Sequence, residues 1–253
     1  MARAGADAGP RARQKACGEA SIDSAPIPPL QWRDMLRFDA RASESDLRQA
    51  LVECGRICYD RKLLTSNDGN LSVRLSADRV LITAAGVSKG RMSVTDILCI
   101  GSDGRLLDTA GPAPSSETPM HLEVYRQRPD VRAVIHAHPV FATALTVAGL
   151  EFPIDLLPEA ALLRGGIPVT AFATPGTAED AAAIRPFIGG HDAILLRQHG
   201  TLTCGLDLEG ALVNLERTEH IAEVFWRAHA LKVPGKTEAR SRQEPTRDDS
   251  ASG

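Results

Sequence analysis

Two side-chain periods alternate along this chain, and their order limits the folds open to it. Leu47, Leu51, Cys54 and Ile57/Cys58 repeat at helical spacing, after Ser43 or Ser45 as a cap and before a stop near Arg61-Lys62. Ala211, Leu212, Leu215, Ala222 and Phe225 do the same for a long helix from Asp207 or Leu208 to about Leu231. Between them the period shortens. Gly69 to Leu75 alternates apolar and polar residues, as a half-buried strand does. Arg79–Thr83, Ile97–Ile100, Val131–His138, Ala193–Arg197 and Thr201–Thr203 read as further strands, and Asp103-Gly104 suits a hairpin turn. Glu117–Gln127 reads as a helix closed by Pro129, which disfavours the helical state of the residue before it. Short strands joined by hairpins and flanked by helices predict an α/β fold with a mainly antiparallel central sheet covered by helices.

A length of 253 residues suits one large α/β domain with loose ends, or two small domains. Residues 1–42, rich in Ala, Gly, Pro and Arg, are expected to form a disordered N-terminal arm. Residues 43–231 form the organised domain, and the polar residues 232–253 a disordered tail. Aromatic residues make up only 4%, so aliphatic side chains must fill the core. A net charge of −3 gives no sign of a nucleic-acid or membrane partner. No apolar run is long enough to span a bilayer, and the N-terminus has no secretory apolar region. Five cysteines, odd in number and irregularly spaced, argue against a disulfide framework and for a reducing cytoplasm. Cys54 and Cys58 share a helix face. Without a second thiol pair they read as two small buried residues rather than a redox or soft-metal site.

The peptide Val134-Ile135-His136-Ala137-His138-Pro139 carries the clearest chemistry. Residues two apart on a strand point to one face, so His136 and His138 can meet at one ion, which a helix would not allow. Catalytic zinc takes three protein ligands and keeps one open position. His199, in Arg197-Gln198-His199-Gly200, is the natural third ligand, before a glycine that lets the backbone bend close to a site. The competing reading is three ordinary hydrogen-bonded histidines. His121 and His220 sit within helices, His229 lies near a helix end and His191 in a turn, and these read as ordinary. Pro114-Ser115-Ser116-Glu117 opens a helix. Ser116 can be its N-cap with Glu117 complementing the dipole, and the same group can bind an anion with Glu117 as acid/base. The glycine-containing runs Ser66–Ser72 and Ile82–Gly90 can cradle an anion through backbone N–H groups, or can be plain turns.

Together, GNLSVRL (69–75), ITAAGVSKGRMSVTDIL (82–98), PSSETPMHLEVYRQRPDVRAVIHAHPVFATAL (114–145), IPVTAFATPGT (167–177) and LLRQHGTLTCG (195–205) resemble the class II aldolase/adducin family, over about Leu47 to Phe225. The resemblance implies a three-layer α/β/α domain and a homotetramer with sites between subunits. It implies a zinc ion on His136, His138 and His199, although manganese or cobalt can also fill such a site. It makes Glu117 the catalytic acid/base and maps a sugar-phosphate pocket onto Asn70, Gly86, Ser115 and Ser116. The activity implied is cleavage of a ketose 1-phosphate, L-fuculose 1-phosphate or a related deoxypentulose phosphate, to dihydroxyacetone phosphate and an aldehyde through a metal-stabilised enediolate. Dehydratase, 4-epimerase and decarboxylase activities occur in the same family, as does a non-enzymatic adducin-like binding module. The chain departs from the aldolase pattern in three places. Asn67 and Ala85 stand where fuculose-phosphate aldolases carry hydroxyl residues, with Asn67 and Lys89 as substitutes. The aldolases' catalytic Tyr aligns near Leu157. No Tyr follows Tyr125, which leaves Glu159 as a candidate replacement.

Overall fold

Ser43 starts the first helix, as its position predicts. Its hydroxyl accepts the Asp46 N–H while Asp46 reaches back to the Ser43 N–H, a capping box that opens α1 at Glu44–Asp60. The computed structural model describes residues 36–37, 42–108 and 111–231. The expected arm and tail therefore lie outside the described residues, except at positions 36, 37 and 42. Of these, Leu36 is fully buried in the apolar core and Arg37 pairs with Glu209.

The alternating segments form strands β1 (Asn70–Arg74), β2 (Arg79–Thr83), β3 (Ile97–Gly101), β4 (Ala133–Ala137), β5 (Ala193–Leu196) and β6 (Gly200–Gly205). They make one six-stranded sheet in the order β3-β2-β1-β4-β6-β5. Every neighbouring pair is antiparallel. After β3 the chain turns at Asp103-Gly104 and comes back for a single bridge, Ile100 to Leu106, rather than a full hairpin strand.

The pleat divides the core. Leu71, Val73, Leu81, Ala133, Ile135 and Ala137 face α1 and α5 (Leu208–Ala230), where Leu47, Leu51, Leu212 and Leu215 cover them. Val80, Ile82, Ile100, Val134, Ile194 and Leu202 face the other way, toward α2 (Thr118–Gln127) and α4 (Ala178–Ile184). Helices on both faces of the sheet give the α/β/α layering that the resemblance implied. A third apolar cluster, with Leu145, Phe152, Leu163 and Ile221, joins α3 (Val140–Val147) to α5 beside β5. Each fully buried Leu or Ile contributes roughly 1.5–3 kcal/mol. Cys54, Cys58, Cys99 and Cys204 are buried free thiols, in keeping with the apolar reading of the Cys54/Cys58 pair, and Cys17 lies outside the described residues.

Three short elements have no clear period in the sequence. Residues 140–147 are apolar nearly all round, so α3 has no polar stripe to announce it. The seven-residue α4 is mostly alanine, and Pro158–Leu162 is a 3-10 turn. One helix start needs correction. The N-cap of α2 is Glu117, not Ser116, and it makes no side-chain cap hydrogen bond. Ser115 Oγ instead accepts the Glu117 N–H at 3.3 Å, which leaves the Glu117 carboxylate free to turn inward.

Candidate metal centre and cleft

Period two on β4 sends Ile135 and Ala137 to one face and His136 to the other, beneath α2. His138 follows directly after the strand end. Its Nε2 lies 2.9 Å from His136 Nε2, so the two rings converge as residues two apart on a strand should. His199 arrives from the turn between β5 and β6. Gln198 adopts a left-handed φ of 55° there. At Gly200 any Cβ would meet the Ala137 carbonyl and lie 2.7 Å from His138 Cδ2. Only glycine permits that approach, and it brings the three ring centroids to 4.6–4.9 Å of one another.

Glu117 closes the group. Its Oε2 lies 3.3 Å from His136 Nε2 and its Oε1 3.1 Å from His199 Nε2. Asn70, directly opposite His136 in the β1–β4 ladder, donates its amide to Glu117 Oε2 at 2.7 Å. Burial pushes the Glu117 carboxyl up. The His199 hydrogen bond, the His136 ring and the Asn70 amide outweigh that and hold it well below the usual carboxylate range. Burial lowers His136 to about 3, and it also lowers His138. Both rings are therefore neutral at pH 7. His136 Nδ1 donates to the Thr201 carbonyl at 2.8 Å, so its Nε2 carries a lone pair toward the centre. Three imidazole nitrogens lie within 4.8 Å of one another, beside an ionised carboxylate. Three converging imidazole nitrogens, with the His136 Nε2 lone pair turned inward, and an anionic oxygen are a donor set that fits a divalent cation.

A second acid, not singled out from the sequence, stands nearby. Oxygens of Glu117 and Asp180 and a ring nitrogen of His199 also lie within 4.8 Å of one another. Asp180 is buried in the first turn of α4 and accepts the Gly176 N–H at 2.6 Å. Burial raises its pKa. In sequence it looks like any acid in a first helical turn, so nothing there marked it. His121 was read as an ordinary helix residue, yet it bonds Asn70 from behind at 2.6 Å.

His138, His199 and Glu117 open onto a cleft of about 260 Å³, with His136 fully buried behind them. Asn70, Gly86, Lys89, Ser115 and Ser116 all line it, together with Asn67 and Ala85 at the two departures. Gly86 has φ 70°, and a Cβ there would meet nothing within 4 Å, so its backbone faces open space. The Lys89 ammonium donates to the Asn67 carbonyl at 2.7 Å, and burial lowers its pKa to about 8. No other lysine or arginine lines the cleft among the described residues. Glu159 is exposed on the 3-10 turn and does not line this cleft within one chain.

The family described as Class II Aldolase and Adducin N-terminal domain matches residues 49–226. The chain is 35% identical to the 5-methylthioribulose-1-phosphate/5-deoxyribulose-1-phosphate aldolase of Rhodospirillum rubrum, over 74% of this chain and 84% of that protein. It is 32% identical to the 3-oxo-tetronate 4-phosphate decarboxylase of Haemophilus influenzae, over 74% of this chain and 90% of that protein. Among solved structures, an L-fuculose 1-phosphate aldolase superposes with a TM-score of 0.71 at 29% identity, over 78% of this chain and 92% of the other. The family match spans most of the organised region, and the chain belongs to the class II aldolase/adducin family.

Proposed function

We propose that this protein is a zinc-dependent aldolase that cleaves a ketose 1-phosphate, preferably a deoxypentulose phosphate, to dihydroxyacetone phosphate and an aldehyde. The observation that carries the reading is the convergence of His136, His138, His199 and Glu117 on one centre, which opens through His138, His199 and Glu117 onto a cleft whose walls also bear Asn70, Gly86, Ser115, Ser116 and Lys89. The Rhodospirillum relative supports the deoxypentulose class. When bound, the cation acts as a Lewis acid that stabilises charge developing on the ketose carbonyl and neighbouring hydroxyl oxygens. Ser115 and Ser116 hydroxyls, the Gly86 backbone and the Asn70 amide hold the phosphate, with Lys89 as its counter-charge. A bound phosphate keeps the Lys89 amine protonated against the burial that lowers it. Glu117, ionised at rest, takes up the proton that leaves the C4 hydroxyl as the C3–C4 bond breaks and delivers it to C3. The same reading carries a homotetramer, which light scattering on the purified chain would check.

The test is release of dihydroxyacetone phosphate, by coupled assay, from a panel of ketose 1-phosphates with zinc-loaded protein. L-fuculose 1-phosphate and 5-deoxyribulose 1-phosphate head the panel. Release from one or more is the expected result, and silence across the panel rejects the aldolase. Two features favour decarboxylation as a second reading: the Haemophilus relative, and the absence of a Tyr after Tyr125 to act as the aldolases' acid. Product mass separates the readings, because a decarboxylase loses carbon dioxide from an acid substrate and leaves the panel sugars untouched.

A further inference from the structure

Behind Glu117 runs a chain of buried hydrogen bonds. The Tyr125 hydroxyl lies 2.7 Å from Ser72 Oγ, which lies 2.6 Å from His121 Nδ1. His121 Nε2 lies 2.6 Å from Asn70 Oδ1, and Asn70 Nδ2 lies 2.7 Å from Glu117 Oε2. Ser72 and His121 are fully buried, and Asn70 and Tyr125 are 2% and 7% exposed, so water competes little for these groups.

The chemistry at one end sets the direction of the whole chain. An ionised Glu117 can only accept, so Asn70 must turn its amide nitrogen toward it. That leaves Asn70 Oδ1 against His121. A carbonyl oxygen also only accepts, so the ring hydrogen sits on Nε2. The neutral ring then has a lone pair at Nδ1, which takes the Ser72 hydroxyl hydrogen. Ser72 Oγ in turn accepts from the Tyr125 phenol. Burial lowers His121 to about 4, which keeps the ring neutral as this order requires. The reverse order would press the Asn70 carbonyl against the Glu117 carboxylate, two acceptors with no hydrogen between them.

We propose that His121 is a positioning residue whose Nε2–H locks the Asn70 amide. One Asn70 N–H then holds Glu117 Oε2, the other is left to the cleft that Asn70 lines, and Glu117 Oε1 is the oxygen that carries the proton. The kinetic part of this proposal rests on the lyase reading above; the hydrogen-bond order does not. Without that lock, a turned amide would present its carbonyl in place of the N–H groups that hold Glu117 Oε2 and face the cleft.

The experiment uses the full chain, loaded with zinc and labelled with nitrogen-15 in its histidines. Long-range imidazole correlation spectra report the tautomer of His121, assigned by loss of its signals in His121→Gln. The expected result is a neutral ring with hydrogen on Nε2 at pH 7. The two variants His121→Leu and His121→Gln then divide orientation from packing. Leucine removes both ring nitrogens. Glutamine offers an N–H to Asn70 and an oxygen to Ser72. His121→Leu should keep its zinc and its KM but lose turnover by about ten- to a hundred-fold, as when a group that orients an active-site ligand is lost. His121→Gln should recover most of that loss. Hydrogen on Nδ1 in the wild type would overturn the proposal. So would equal losses in the two variants, or none in His121→Leu. Where His121→Leu does not fold, the tautomer decides. Where the wild type cleaves none of the sugar phosphates, an Nε2–H tautomer still upholds the hydrogen-bond order while the activity reading falls.

Discussion

The histidine pair was legible because it needs only one fact, that β4 is a strand; period two then forces His136 and His138 together. His199 was legible through the glycine after it, and the clash at Gly200 shows why a side chain is not tolerated there. Glu117 could be named but not placed. The sequence places the N-cap one residue early, at Ser116; Glu117 is itself the N-cap but makes no side-chain cap hydrogen bond, which leaves its carboxylate to the centre. The Asn70 and His121 contacts were not legible at all. They depend on the register that sets Asn70 opposite His136, and on which face α2 lays over β1. These distinctions give separable variants. His138→Ala removes a ring that is largely buried but borders the cleft, so the protein should fold and lose its metal, read by elemental analysis. A variant that keeps one zinc per chain would exclude His138 as a ligand. Glu117→Gln keeps the shape and the hydrogen bond from Asn70 but cannot carry the proton. Zinc content should hold while turnover falls by about 10²–10⁴-fold, the usual worth of general acid–base catalysis. Unchanged turnover would take Glu117 out of the mechanism.

At the scale of elements, the two long helices and all six strands follow from capping residues and period, each within a few residues of its sequence bounds. What period misses is α3, α4 and the 3-10 turn, which are short and held by tertiary contacts rather than by local signals. For α4 one such contact is ionic. Glu123 on α2 accepts from Arg126 and Gln127 on its own helix and, at 2.9 Å, from Arg185 at the end of α4. The Arg126 hydrogen bond first, then those of Arg185 and Gln127, hold the Glu123 carboxyl down at about 2 against an ordinary 4.5. A depressed folded-state pKa stabilises above the unfolded value and loses that contribution as pH falls. The contribution should therefore be complete above about pH 5 and fade between 4.5 and about 2. Both arginines are more than half exposed, so the ion pairs should contribute only about 1 kcal/mol. Unfolding free energies of wild type and Glu123→Gln from urea titrations should differ by that amount at pH 7 and converge toward pH 3. A difference that stays constant with pH would assign the loss to packing rather than charge.

Across the whole molecule, the site and the core are separate constructions. Glu117, His136, His138 and His199 come from the start of α2, from β4 and the loop after it, and from the β5–β6 turn, so the sheet brings them together only once it is formed. The three apolar clusters that hold the sheet between its helices contain none of these four residues. The histidines also have a stable arrangement among themselves: two are lowered and neutral, and the Glu117 carboxylate lies between His136 and His199. Removing the metal should therefore leave the fold standing, unlike a zinc finger, whose folding is metal binding. Protein stripped with a chelator should keep its far-ultraviolet circular dichroism and melt cooperatively, but without turnover. Its melting temperature should rise with added zinc, because a ligand that binds only the folded chain stabilises it by RT ln(1 + [L]/Kd), about 2.7 kcal/mol at a hundredfold excess over Kd. His138→Ala should melt close to the stripped wild type and respond little to zinc. Loss of the cooperative melt on chelation would mean that the metal holds the sheet end together. The site would then be structural as well as catalytic, and the separation of core from site would fail at β4, the one strand that carries both the buried Ile135 and the His136 ring.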